Sequence, residues 1–156
     1  MLSHHSKIIN RRAKFDYEIT QTFEAGIVLL GTEVKSVRQG RSSINESFIT
    51  EMIVDDHPSL CLINSNISEY KGASIFNHEP KRPRKILLKK RQMNKILGDI
   101  RKKGISVIPM SMYFNKKGIL KLEIGIGKGR KTFDKRELIK ERDWNRDKAK
   151  ILKDNN

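Results

Sequence analysis

Cysteine is almost missing from this chain. Cys61 stands alone in 156 residues, which excludes a disulfide framework and a cysteine-rich metal knuckle. A single cysteine inside an apolar stretch is expected to be a small buried hydrophobe of a strand. Long hydrophobic runs are missing too. Ile27–Leu30 is as long as any, far below the roughly 20 residues that cross a bilayer. The opening MLSHHSKIINRRAK holds no apolar stretch of secretory-signal length, so a soluble, cytoplasmic protein is expected. Acid is scarce: 18 Asp and Glu face 33 Lys and Arg, a net charge of +15. That excess is silent about fold but points to a polyanionic partner, nucleic acid or an anionic surface. The length suits one domain with an appendage and is enough to bury a core.

The charge is also uneven. Between Phe15 and Asp56 eight acids meet three bases, whereas Lys81 to Lys103 carries eleven bases and one acid, Asp99. A partner should therefore dock on one side.

Residues 1–14 lack periodicity and are expected to form a basic arm, mobile until bound. DYEIT alternates as a half-buried strand, FEAGIVLLG continues it, and Gly26 suggests a bulge or close backbone approach. TEVKSVRQ reads as a short helix with Thr32 as N-cap. FITEMIVDDHPSLCLINS reads as a hairpin turning at Asp55–Ser59. Met93, Ile96, Leu97 and Ile100 form one apolar stripe, predicting a helix from Leu88 to Lys103 that ends at Gly104. SVIPMSMYF and ILKLEIGIG, joined by NKKG, form a second hairpin, with Pro109 at an edge or bulge. About six short antiparallel strands with one to three helices give a mainly β fold, a small closed or nearly closed barrel over 15–128. No internal repeat appears.

KRPRKILLKKR, Lys81 to Arg91, is a dense basic run and reads as a phosphate-binding flank, rather than a solvated helix start. NRRAK, Asn10 to Lys14, is a second basic patch whose value depends on lying beside the first. Glu24 and Glu33 invite an acid–base pair, but no His, Ser or Cys completes a catalytic constellation, so a structural or RNA-contacting role is expected. His4, His5 and His78 read as solvated rather than as metal ligands. No cofactor, metal or small-molecule substrate is expected. GIGKG lacks the Gly-Lys-Ser/Thr close of a phosphate loop, and Gly127 and Gly129 read as a hinge out of the barrel.

The tail, Gly129 to Asn156, is charged and sparsely apolar. Asp134 and Glu137 resemble a capping box, and Glu137–Lys140, Asp143–Arg146 and Asp147–Lys150 are spaced as helical ion pairs. Each contributes only about 0.2–0.5 kcal/mol, too little to hold a long helix in water. Phe133, Leu138, Ile139, Trp144, Ile151 and Leu152 are its only apolar anchors. The tail is expected to be disordered when free and helical inside a polyanionic groove.

NRRAKFDYEI, FEAGIVLLGTEVKSVRQG, RPRKILLKKR and GKGRKTFDKRELIKERDW together resemble the SsrA-binding protein (small protein B) family, bacterial partners of transfer-messenger RNA. The resemblance implies an oligonucleotide-binding-type barrel that grips the tRNA-like domain of that RNA and enters stalled ribosomes with it. By motif position it implies RNA-gripping roles for Asn10, Glu24 and Leu87, with basic support from Arg11, Arg84 and Lys85. It places Gly129, Arg130, Lys131, Asp134, Lys135 and Arg136 at the decoding centre. Trp144, Lys148, Lys150, Ile151 and Leu152 would follow the empty mRNA channel. Family members often carry His or Tyr before Asp-Lys-Arg; here Phe133 keeps the stacking surface and loses the hydrogen bond. The competing readings are a basic ribosome-associated protein or general RNA chaperone, and a nuclease built on Glu24 and Glu33.

Overall fold

The computed structural model describes residues 7–73 and 75–154. The expectations for His4 and His5 lie outside the described residues. Six strands close a ring: β4 (Phe48–Val54), β5 (His57–Ile63), β7 (Arg84–Leu87), β2 (Tyr17–Ile27), β9 (Leu120–Gly129) and β8 (Ile105–Phe114), which returns to β4. All pairings are antiparallel. The alternation read in the last strand sets its inward face, since Leu120, Leu122, Ile124 and Ile126 are all buried among Ala25, Leu60, Leu62, Ile86 and Met112. Cys61 is buried in β5, as a small apolar residue should be. A short pair, β3 (Ser42–Ser43) with β6 (Asn66–Ile67), stands beside the ring.

Helices cover the two openings. α2 (Gly31–Arg38) follows the end of β2, burying Val37, and its Arg38 reaches Gly118 in the β8–β9 turn. α3 (Lys90–Ile100) leads into the start of β8 and buries Ile96 and Leu97. Among the described residues no helix is long and apolar enough to cross a membrane.

Several local expectations shift. The first helix begins at Gly31 rather than behind a Thr32 cap, because Glu33 reaches back to accept from Leu30 N–H at 2.8 Å. The first hairpin turns on Asp55 and Asp56 alone, both with positive φ, and His57–Ser59 already belong to β5. The inserted helix, Lys90–Ile100, holds the whole apolar stripe but is shorter than the expected Leu88–Lys103 span, while Gly104 takes φ +81° just before β8. Pro109 does lie at a register shift in β8. Gly127 is no hinge: it pairs with Ile19 and Ser106, and a Cβ there would meet Glu18 O at 2.3 Å. Gly26 is a close approach, its would-be Cβ 3.3 Å from Leu87 Cβ.

Part of the expected arm is structured. β1 (Lys7–Ile9) pairs with β8, with Ile8 packed on the core, and α1 (Ala13–Asp16) buries Ala13 against Ile108 and Met110. These few apolar side chains give 7–16 a place that their lack of periodicity did not announce. The tail is one helix, α4 (Thr132–Asp154), with no buried residue.

Candidate nucleic-acid interface

Strands β7, β2, β9, β8 and β1 lie side by side, and their outward residues fall into two rows. One row reads Leu87, Gly26, Lys121, Tyr113, Lys7. The other reads Glu24, Glu123, Ser111, Ile9. The inward neighbours Ile86, Ala25, Leu122 and Met112 are buried, so this face points to solvent. Leu87 and Ile9 are half or more exposed, at 51% and 57%. Tyr113 donates its hydroxyl to Glu24, and Lys7 Nζ sits 4.9 Å from the Tyr113 ring centre. Burial, together with the Glu24 carboxylate, pushes the Tyr113 phenol up to about 12. The face thus carries apolar, aromatic, anionic and cationic groups at strand spacing. Such a mixture suits unstacked bases with their phosphates better than a regular duplex.

The basic run divides in two. Lys85 points outward from β7. Arg84 points inward and is wholly buried, which removes it from the RNA-contacting set that the resemblance implied. Its Nε donates to Glu33 at 2.5 Å, one terminal nitrogen donates to Ser65 O and Oγ, and the other to Pro80 O and Glu79 O. Arg82 donates to the other Glu33 oxygen at 2.5 Å. Burial alone would raise the Glu33 carboxyl, but donation from Arg82, Leu30 N–H and Arg84 and the Arg84 charge bring it below the ordinary range. The triad ties α2 to the entry of β7 and thereby sets where Lys85 and Leu87 emerge. Glu33 is therefore spent on arginines, and no acid–base pair with the outward Glu24 exists.

Asn10 is also mostly buried, at 7% exposure. Its side chain donates to Pro109 O at 2.9 Å and accepts from Arg12 N–H, so it shapes the turn between β1 and α1. Arg11 and Arg12 project from that turn, exposed. His78, expected to be solvated, is 4% exposed; Nε2 faces Ile67 O and Nδ1 faces Thr32 Oγ1, each at 2.9 Å. The carbonyl partner requires the proton on Nε2, leaving Thr32 to donate to Nδ1.

The tail leaves from the same side as that turn. Arg130 donates its backbone N–H to Asp16 O at 2.8 Å and its side chain to Lys14 O at 3.2 Å. Lys135 Nζ lies 3.2 Å from an Asp16 carboxylate oxygen and 5.7 Å from the Phe15 ring centre. Asp134 accepts from Lys131 N–H at 3.4 Å, reaching back as an N-terminal acidic residue does. Beyond this root, Phe133, Trp144, Ile151 and Leu152 are 60–70% exposed. Arg136, Lys148 and Lys150 are exposed as well. Glu137–Lys140 and Asp143–Arg146 pair at 3.6 and 4.0 Å; Asp147–Lys150 does not come within that distance.

A family model described as SmpB protein matches residues 7–154, nearly the whole chain. The chain belongs to the SmpB family. An SsrA-binding protein of Ehrlichia canis is 53% identical over 148 residues, covering 95% of this chain and 97% of that one. One from Afipia carboxidovorans is 52% identical over 144 residues, covering 92% and 89%. A solved chain from "tmRNA-SmpB: a journey to the center of the bacterial ribosome" superposes with a TM-score of 0.65 at 41% identity, covering 81% of this chain and 85% of that chain. Within this SmpB-family chain, Lys7, Ser111, Tyr113, Lys121 and Glu123 join the interface without having been singled out in the sequence. The alternation of β9 marked Lys121 and Glu123 as outward; that β1 and β8 flank them was not written in any local pattern.

Proposed function

We propose that this chain is a non-enzymatic adaptor that binds transfer-messenger RNA and accompanies it to stalled ribosomes. The observation that carries the reading is the outward sheet face from Lys85 and Leu87 to Lys7, which sets apolar, aromatic, anionic and cationic groups together on a barrel that superposes on a solved SmpB chain. The tRNA-like domain docks there, contacted by Glu24, Leu87, Lys85 and Arg11, while Asn10 holds Arg11 in place. The tail is a separate device: Gly129 to Arg136 meet the decoding centre, Phe133 stacks without a hydrogen bond, and Trp144 to Leu152 follow the vacant mRNA channel. In support, α4 buries no side chain of its own, so an external groove must supply what holds it. A general RNA chaperone would bind through charge alone and would not need Leu87 and Tyr113 fixed in register.

The test is binding of a labelled tRNA-like fragment against an unrelated stem-loop at several salt concentrations. The fragment is expected to bind tighter, and Lys85→Ala is expected to lower its salt slope by about one. Equal affinity for both RNAs would overturn the reading.

A further inference from the structure

Beside Tyr113 the outer sheet face dips into a cleft of about 300 Å³ between β1, the turn after it, β8 and β9. Its rim carries three cations, Lys7, Arg11 and Lys14, and one apolar side chain, Ile9. Its floor carries Ser111 and Glu123. Ser111 is 95% buried, with a relative exposure of 5%, and its hydroxyl donates to Glu123 Oε2 at a long 3.4 Å. Among the described residues Glu123 has no cation within 4.0 Å, although lysines surround it. It also stands directly across the strand from Glu24, an arrangement of like charges that costs stability. Glu24 is partnered by the Tyr113 hydroxyl; the Glu123 carboxylate keeps open acceptor sites.

A phosphate drawn in by the rim cannot descend to that floor, because the carboxylate repels it. What fits is a neutral planar group that brings N–H donors to Glu123 while its phosphates stay among Lys7, Arg11 and Lys14. The four RNA bases differ in this respect. Guanine presents two adjacent donors, N1–H and the exocyclic N2–H, at the spacing of a carboxylate's two oxygens. Adenine sets a ring acceptor beside its amino group, cytosine does the same, and uracil flanks its one N–H with carbonyls. Each of those would turn at least one lone pair toward the carboxylate.

We propose that this cleft reads a single unstacked guanine, with Glu123 accepting from N1–H and N2–H, Ser111 orienting Glu123, and Lys7, Arg11 and Lys14 holding the flanking phosphates. The inference rests on the RNA-binding reading above and names the base that its outer face selects. It separates the work of the two carboxylates. Glu24 is fixed by Tyr113 at the Leu87 side, and Glu123 reads from the floor.

The experiment uses the full chain and labelled heptaribonucleotides, all uridine except a central guanine, adenine or inosine, followed by fluorescence anisotropy at low salt. Inosine retains N1–H and lacks the exocyclic amine. Guanine is expected to bind about tenfold tighter than adenine, with inosine between them. Glu123→Gln, which keeps the side-chain shape, is expected to erase the guanine preference, so that the guanine and adenine heptamers bind alike. Equal affinity for guanine and inosine in the wild-type chain would overturn the proposal without reliance on any variant. So would an undiminished guanine preference in folded Glu123→Gln. The same preparations are titrated with the tRNA-like fragment and the unrelated stem-loop. Preference for the fragment without guanine selectivity defeats this inference alone; loss of the fragment preference defeats the functional reading itself.

Discussion

The Arg84 guanidinium and the Glu33 carboxylate meet at 2.5 Å with both side chains fully withdrawn from solvent. A motif that looks like a phosphate-binding run therefore has a structural member at its centre. The distinction matters for any experiment on the basic stretch, because a charge change at Arg84 acts on the fold and one at Lys85 acts on the surface.

Arg84→Ala is expected to cost about 3–5 kcal/mol in urea unfolding, since it takes the buried one of two guanidinium partners from the Glu33 carboxylate and leaves Ser65 and Pro80 without their donor. Lys85→Ala, at an exposed site, is expected to stay within about 0.5 kcal/mol of the wild type. The folded-state Glu33 value is depressed, so its stabilisation is complete above the unfolded glutamate's ~4.3 and is lost as pH falls through the folded value. Glu33→Gln is expected to flatten that acid limb in a series of unfolding curves. An unaltered limb would show that the triad does not govern acid stability.

Tyr113 offers the opposite sign. Its phenol is raised to about 12 by burial first and by the neighbouring Glu24 next. The stabilisation is thus present below the ordinary tyrosine value of roughly 10 and is lost as pH rises through the folded one. Glu24→Gln removes the second cause and leaves the first, so the titration should move down without returning fully. Tyrosinate absorbance, with Tyr113→Phe as the reference for Tyr17 and Tyr70, reads the shift directly.

Gly127 and Gly129 should part company on substitution. A methyl at Gly127 would press on the Glu18 carbonyl at 2.3 Å, a backbone atom that cannot swing aside, whereas at Gly129 nothing lies within 4 Å. Gly127→Ala is expected to destabilise by about 1–3 kcal/mol, and Gly129→Ala to leave the melting midpoint where it is. Calorimetry of the two variants decides it.

The tail should show a graded order. Arg130 and Lys135 are tied to α1, so amides near the helix root gain protection from those contacts. Past Arg142 the described residues offer one exposed ion pair at helical spacing, Asp143–Arg146, and such a pair contributes about 0.2–0.5 kcal/mol. Hydrogen exchange of the free protein is expected to find the far helix unprotected beside a protected barrel. Slow exchange through to Leu152 would mean that the helix holds itself.

Local chemistry left a clear record in the chain. Period-two alternation in β9, the Asn-Lys-Lys-Gly turn, the apolar stripe of α3 and the poverty of anchors in the tail are all properties of neighbouring residues, and each was readable without coordinates. The imbalance of charge announced a polyanion in the same way, because Coulomb attraction depends on composition before it depends on fold.

What the chain could not announce is which charges meet which. Arg84 and Lys85 are adjacent and chemically alike, yet strand geometry sends one into the interior toward Glu33, 51 positions away, and the other out to solvent. Lys7, Ser111 and Glu123 share a cleft only because ring closure sets β1 against β8 and β8 against β9. Long-range strand pairing of that kind is a property of the whole barrel, decided when many weak apolar contacts are satisfied together, and no short window of sequence contains it.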